Sequence, residues 1–173
     1  VNIQSLVVDV LIERKEYLRA IDKARELLKR DEINVSVMKN LARAYYYMGK
    51  EKTAKFVFMR ALELDKKDAE ILYYLARIGH KSGVKRERLL ALYLTILEVR
   101  PDMPEVLNNV GLIFYETRNW VLAEERFAAA VKASPRFREA RLNWANSLRG
   151  LQKYDEADQV FEALIKEFPT YAA

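Results

Sequence analysis

PEVLNNVGLIFYETRNWVLAEERFAAAVKASP, running from Pro104 to Pro135, is the stretch from which the fold can be read. Counted from Pro104, large residues fall at positions 4 (Leu107) and 7 (Val110), a glycine at 8 (Gly111) and an aromatic at 11 (Phe114). Alanine, phenylalanine, alanine and proline follow at 20 (Ala123), 24 (Phe127), 27 (Ala130) and 32 (Pro135). The spacing predicts two antiparallel helices of about a dozen residues each. Gly111 and Ala123 carry almost no side chain, so the backbones can approach there, and Phe114 and Phe127 fill the space on either side. Pro135 has no N–H and ends the second helix. One such hairpin cannot bury its apolar face alone, so neighbours must stack on it.

The frame continues in both directions, with units starting near residues 1, 35, 69, 104 and 138 and one array covering 1–173. The second unit places Met38, Leu41, Ala42 and Tyr45, then Ala54, Phe58 and Ala61, with Gly49 marking the turn. The fifth places Trp144, Ala145 and Leu148, then Ala157, Phe161, Leu164 and Pro169, with Arg141 at position 4. The first keeps Ala20, Ala24 and Leu27. Its opening segment, Ile3 to Ile12, is rich in β-branched residues and would read alone as a strand; the repeat context predicts a helix. The third is irregular. Pro101 reaches the end position only if one residue is inserted in the turn Lys81 to Arg86, where Leu89 then takes the usual place of Ala. That slip predicts a second helix standing further from its first. Tyr17, Trp120 and Tyr154 share one turn position and are expected to close the top of their hairpins.

This spacing resembles the tetratricopeptide repeat, with Leu107 where that family often has Trp. The resemblance implies an all-α fold: a right-handed α-solenoid of five helix-turn-helix units, about ten helices. It also implies a concave face lined by the first helices, at positions 2, 5, 6, 9, 12 and 13 of each unit, along which peptide segments lie. Among these places are Asn2 in the first unit and His80 in the third. The centre of that face gathers Lys39, Arg43, Arg77 and Lys81 with Tyr46, Tyr47, Tyr73, Tyr74 and Tyr115. Tyr and Arg are residue types enriched at binding hot spots. The expected partner is a protein segment that is acidic, with apolar or aromatic anchors. Asn40, Asn109 and Asn143 all fall at position 6, and Asn108 and Asn146 lie beside them. An amide offers both donor and acceptor, which suits the backbone of an extended peptide and equally suits the fold itself. Some members of the family grip a C-terminal carboxylate with a Lys and Asn clamp. Here Lys39 fits, but Arg43 and Tyr74 replace the asparagines, and Glu105 and Asn109 stand at the third-unit places. That clamp does not carry over.

The 173 residues include 30 Lys and Arg, 25 Asp and Glu, one His and no Cys, for a net charge of +5. Without cysteine there is no thiolate chemistry or disulfide, and a lone His80 cannot build the usual zinc sites or a nucleophile–histidine pair. No phosphate-binding glycine loop is present. No enzyme, cofactor or metal site is expected. The basic excess falls in the second and third units, but these cations alternate with acids, the pattern of a solvated helix surface rather than a nucleic-acid track. No signal or membrane-spanning segment occurs, which leaves cytoplasm and periplasm both open. The chain opens on Val1 and is expected to be part of a longer protein, which a second reading makes the recruiting part of a larger enzyme. Leu6, Val10 and Ile12 at one end, and Leu164, Ile165 and Phe168 at the other, are expected to lack caps. These ends make homo-oligomeric assembly the main alternative, with Leu6, Val10, Ile12, Ile165 and Phe168 as contacts. The repeat style resembles bacterial or archaeal envelope, motility and secretion assemblies.

Overall fold

The computed structural model describes residues 3–169; the groove place Asn2 and the terminal Thr170 and Tyr171 lie outside them. Among the described residues there are ten α-helices and no strand: α1 (Ile3–Glu13), α2 (Tyr17–Leu28), α3 (Val35–Tyr47), α4 (Glu51–Leu64), α5 (Ala69–Lys81), α6 (Arg86–Val99), α7 (Pro104–Glu116), α8 (Trp120–Ala133), α9 (Arg138–Gly150) and α10 (Tyr154–Glu167). The β-branched opening segment is helical, as the repeat context requires. The helices form two compact units, the first reaching Val84 with α1–α5 and the second starting at Lys85 with α6–α10.

Every hairpin turn is built the same way. The residue at position 15 takes a left-handed backbone in all five repeats: Lys15 (φ 61°), Gly49 (75°), Gly83 (75°), Arg118 (59°) and Gln152 (61°). In each case the next N–H reaches back five residues: Glu16 to Leu11, Lys50 to Tyr45, Val84 to Gly79, Asn119 to Phe114 and Lys153 to Leu148, all at 2.9 Å. This pair of features is the Schellman cap, which satisfies the carbonyls left over at a helix end. The one-residue slip lies just beyond it. The second helices α2, α4, α8 and α10 begin at position 17, whereas α6 begins one residue later, at Arg86. The extra residue falls between Val84 and Arg86, where the two compact units also meet in sequence. With that shift, Leu89, Tyr93 and Ile96 take the buried places of α6.

The first unit's core joins Val8, Ala20, Ala24, Leu41, Ala42, Ala54, Phe58 and Ile71. In the second, Phe127 is fully buried, and a Cβ added to Gly111 would lie 2.6 Å from its ring. That glycine is therefore required by close approach. The aromatic residues at position 17 do not simply close their own hairpins. Tyr17 stacks on Tyr47 of the next repeat at 5.8 Å. Trp120 packs edge-on against Tyr115 and also lies so close to Gly150 of the next repeat that an added Cβ would sit 2.7 Å from its ring. Tyr154 is exposed. Position 17 thus reaches forward to position 13, because the start of each second helix lies beside the end of the following first helix.

Candidate functional site

In the first unit, α1, α3 and α5 bring most of the sequence-predicted residues together. Lys39 forms ion pairs with Asp68 and Glu70, each at 2.9 Å. Arg43 pairs with Asp9 at 2.6 Å and lies 3.5 Å from Glu70. Asp9, Arg43 and Arg77 all occupy position 9, so acid and base alternate between the first two repeats. Burial works against the charge on Lys39, but its hydrogen bonds to Glu70 and Asp68 outweigh that and raise its pKa. Burial opposes the charge on Arg43 too, and neighbouring Tyr74, Glu70 and Asp9 more than restore it. A hydrogen bond to Glu51 likewise raises the pKa of Lys81. Three of the four cations thus already have acids inside the unit.

Around them lies a continuous aromatic cluster. Tyr46 meets Tyr47 at 5.6 Å and Tyr74 at 5.2 Å, both edge-on. Tyr74 stacks on Phe58 at 5.1 Å and meets Tyr73 at 6.1 Å. The Tyr47 and Tyr74 hydroxyls are hydrogen-bonded at 2.8 Å. Burial, reinforced by that bond, pushes the Tyr74 phenol pKa up, with Arg43 pulling the other way. Tyr74 is buried, so its ring belongs to the core and supports the face from beneath. Arg77 is different. It is exposed, and its guanidinium lies 5.3 Å from the Tyr46 ring centre and 5.7 Å from that of Tyr73. Among the described residues, no carboxylate forms an ion pair with it.

The asparagines have a second role that spacing alone did not separate from ligand binding. The Asn40 amide donates to the Ser5 carbonyl at 2.9 Å and accepts from Arg43 at 3.0 Å. The Asn143 amide donates to the Asn108 side chain at 2.9 Å, and that of Asn109 to the Tyr93 hydroxyl at 3.4 Å. At position 6, then, each Asn gives its donor to the preceding repeat. Asn40 and Asn108 are buried. Recurrence at one place in three repeats was the signal: a residue repeated with the frame serves the frame. In the second unit, Tyr115 packs against Trp120, with the Phe127 ring 6.4 Å away, and Asn146 is half-buried on α9.

Of the end residues, Ile12 and Leu164 are buried, because α1 and α10 each turn one face onto their hairpin partners. They cannot carry an end-to-end contact. Phe168 lies under the Arg138 guanidinium at 5.2 Å. Among the described residues, no cluster of three or more His, Asp or Glu is placed to hold a metal. No described helix is long and apolar enough to cross a membrane.

Three family models, each described as a tetratricopeptide repeat, match residues 37–68, 90–136 and 139–171, which together make up most of the chain. The chain belongs to the tetratricopeptide repeat family. Its coarse functional class follows: a helical-repeat scaffold for protein interaction. Among solved structures it is similar to MamA, with 18% identity over 99% of this chain and 96% of that one, at a TM-score of 0.71. It is also similar to a tetratricopeptide repeat protein from Parabacteroides merdae, with 24% identity over 96% of this chain and 66% of that one, at 0.73. A third is YrrB, described as a repeat protein of this family with an unusual peptide-binding site. There the identity is 18% over 96% of this chain and 85% of that one, at 0.70. At these identities the likeness is one of fold.

Proposed function

We propose that this protein takes a segment of another protein along the α1–α3–α5 face of its first unit, with Arg77 as the charged anchor. The observation that carries this is the state of Arg77: an exposed guanidinium beside two tyrosine rings and, among the described residues, without an ion-paired acid. A guanidinium in that setting keeps its planar fork of donors for a carboxylate, and the rings beside it suit an apolar or aromatic neighbour. Lys39 and Arg43 are already neutralised, so the partner needs a single well-placed carboxylate flanked by apolar residues rather than a run of acids. Tyr46, Tyr47, Tyr73 and Lys81 make the contact surface; Asn40, Arg43 and Tyr74 hold it in shape. Asn108, Asn109, Asn143, Asn146 and Tyr115 belong to the corresponding helices of the second unit and are assigned a supporting role there. YrrB, a solved repeat array similar in fold, is described as having an unusual peptide-binding site, which supports a peptide as the class of ligand.

The test is fluorescence anisotropy with a pool of labelled peptides carrying one Asp or Glu between Leu, Phe or Trp. The best binder should lose about tenfold or more in affinity with Arg77→Glu and with Tyr73→Ala, as expected for hot-spot residues. It should also weaken with added salt. Unchanged affinity in both variants would sink the assignment.

A further inference from the structure

The outer face of α4 carries side chains that the repeat frame does not call for. Lys52, Lys55, Phe56, Met59, Arg60 and Glu63 follow one another at helical spacing along one side of α4, opposite the buried Ala54, Phe58 and Ala61. All six are exposed, Phe56 at 63% and Met59 at 51%. They fall at positions 18, 21, 22, 25, 26 and 29 of the second repeat, and the one acid, Glu63, lies at the far end of the line. At 18, 21 and 26, where α4 has Lys52, Lys55 and Arg60, none of the other four repeats has a Lys or Arg, the third being counted with its extra residue. At 22, where α4 has Phe56, they have Asp22, Ala91, Glu125 and Gln159. The hairpin therefore needs neither the charge nor the ring at these places in order to fold.

The cations do not serve the helix either. Lys52 lies in the first turn of α4, where the helix dipole disfavours positive charge, and Lys55 adds a like charge one turn on. Among the described residues, neither these two nor Arg60 forms an ion pair; the acid of that first turn, Glu51, pairs instead with Lys81 of α5. On α2, by contrast, Arg19 pairs with Glu16 and Lys23 with Glu26. Lys39 and Arg43 are neutralised on the inner face, so the unpaired basic charge of the second repeat gathers on and beside α4, around an exposed phenylalanine and methionine. We infer that the outer face of α4 is a docking site for an acidic amphipathic helix of another protein. Its apolar line covers Phe56 and Met59, and its carboxylates meet Lys52, Lys55 and Arg60. The shape of the patch favours a helix over a bilayer. It is one helix wide, and α2 places Asp22 and Glu26 where α4 has Phe56 and Arg60, so an anionic surface broad enough to reach α2 would meet like charge. A contact through one helix face is small, of the weak and readily reversible class.

The probe is a fluorescein-labelled, hydrocarbon-stapled helix of the length of α4, with Leu at every third or fourth place and Glu on both flanks, titrated with the full chain. Saturable binding in the micromolar range is expected, weakened by salt and absent for a control peptide with Lys in place of Glu. Phe56→Ser and Lys55→Glu should each weaken it at least about fivefold. Both positions are exposed, so thermal melts of the variants should match the parent. Arg77→Glu should leave this binding unchanged, which separates failure here from failure of the inner-face assignment. Absence of binding, binding that survives both substitutions, or binding lost with Arg77→Glu instead, overturns the inference. So does attachment to vesicles of phosphatidylcholine and phosphatidylserine, or concentration-dependent self-association, that Phe56→Ser abolishes, since a bilayer or a second copy would then occupy the face.

Discussion

At position 9 the first unit carries Asp9, Arg43 and Arg77, while the first helices of the second unit carry Leu112 and Asn146 at the same place. At positions 12 and 13 the contrast repeats: Tyr46 and Tyr47 in the second repeat, Arg149 and Gly150 in the fifth. The buried frame is common to both units. Phe58 and Phe127 are fully buried at the same place, and Ala54 and Ala123 lie beneath them. The frame positions hold hairpins together, and the inner-face positions vary freely above them. Chemistry specific to this chain therefore collects where the two units differ, and in the first unit it forms one connected network of acids, bases and tyrosines.

That contrast can be broken at several depths. The deepest cut is Phe58→Ala against Phe127→Ala. Each should cost about 3–5 kcal/mol in chemical denaturation, because both rings fill the same kind of site. A large difference between them would mean that the shared frame is not energetically shared. Next is Arg43→Ala against Leu112→Ala. Arg43→Ala leaves Asp9 without its cation and Glu70 with Lys39 alone, and should cost about 2 kcal/mol, with the partial exposure of both acids limiting the loss; Leu112→Ala, half-buried and apolar, should cost less. The third compares pH profiles. The folded-state pKa of Tyr74 is raised, so its contribution is intact below the ordinary tyrosine value near 10 and is lost as pH rises beyond it. Tyr74→Phe should lose about 1 kcal/mol at neutral pH with the Tyr47 hydrogen bond and flatten the alkaline limb measured by circular dichroism. The smallest effect applies to both units alike. Lys15→Gly, Arg118→Gly and Gln152→Gly should each raise stability by up to about 1 kcal/mol, since these residues hold a left-handed backbone that glycine adopts without strain.

Much of this was legible because it is periodic. Ten helices, five hairpins, the close approach at Gly111 and the one-residue slip near Val84 follow from spacing alone. What spacing could not show was how polar side chains divide between fold and surface. Asn40 and Arg77 stand at similar places in the frame, yet one is buried with its hydrogen bonds filled and the other is exposed. Asn40 finds its acceptor in Ser5, which lies on the preceding repeat, whereas Arg77 meets the Tyr46 and Tyr73 rings. The left-handed turns were visible at Gly49 but hidden at Lys15, Arg118 and Gln152, where the residue type gives no sign of the backbone it adopts. The forward reach of Tyr17 and Trp120 was hidden for the same reason: their contacts belong to the next hairpin.

The backward hydrogen bonds of Asn40, Asn109 and Asn143 give the array a direction. Each donor follows its acceptor in the chain: Ser5 precedes Asn40, Tyr93 precedes Asn109, and Asn108 precedes Asn143. As the polypeptide leaves the ribosome N-terminus first, every acceptor has emerged before the amide that needs it. A newly made first helix thus finds its polar partner already in place, and none of these three amides has to wait, unsatisfied, for sequence still to be translated.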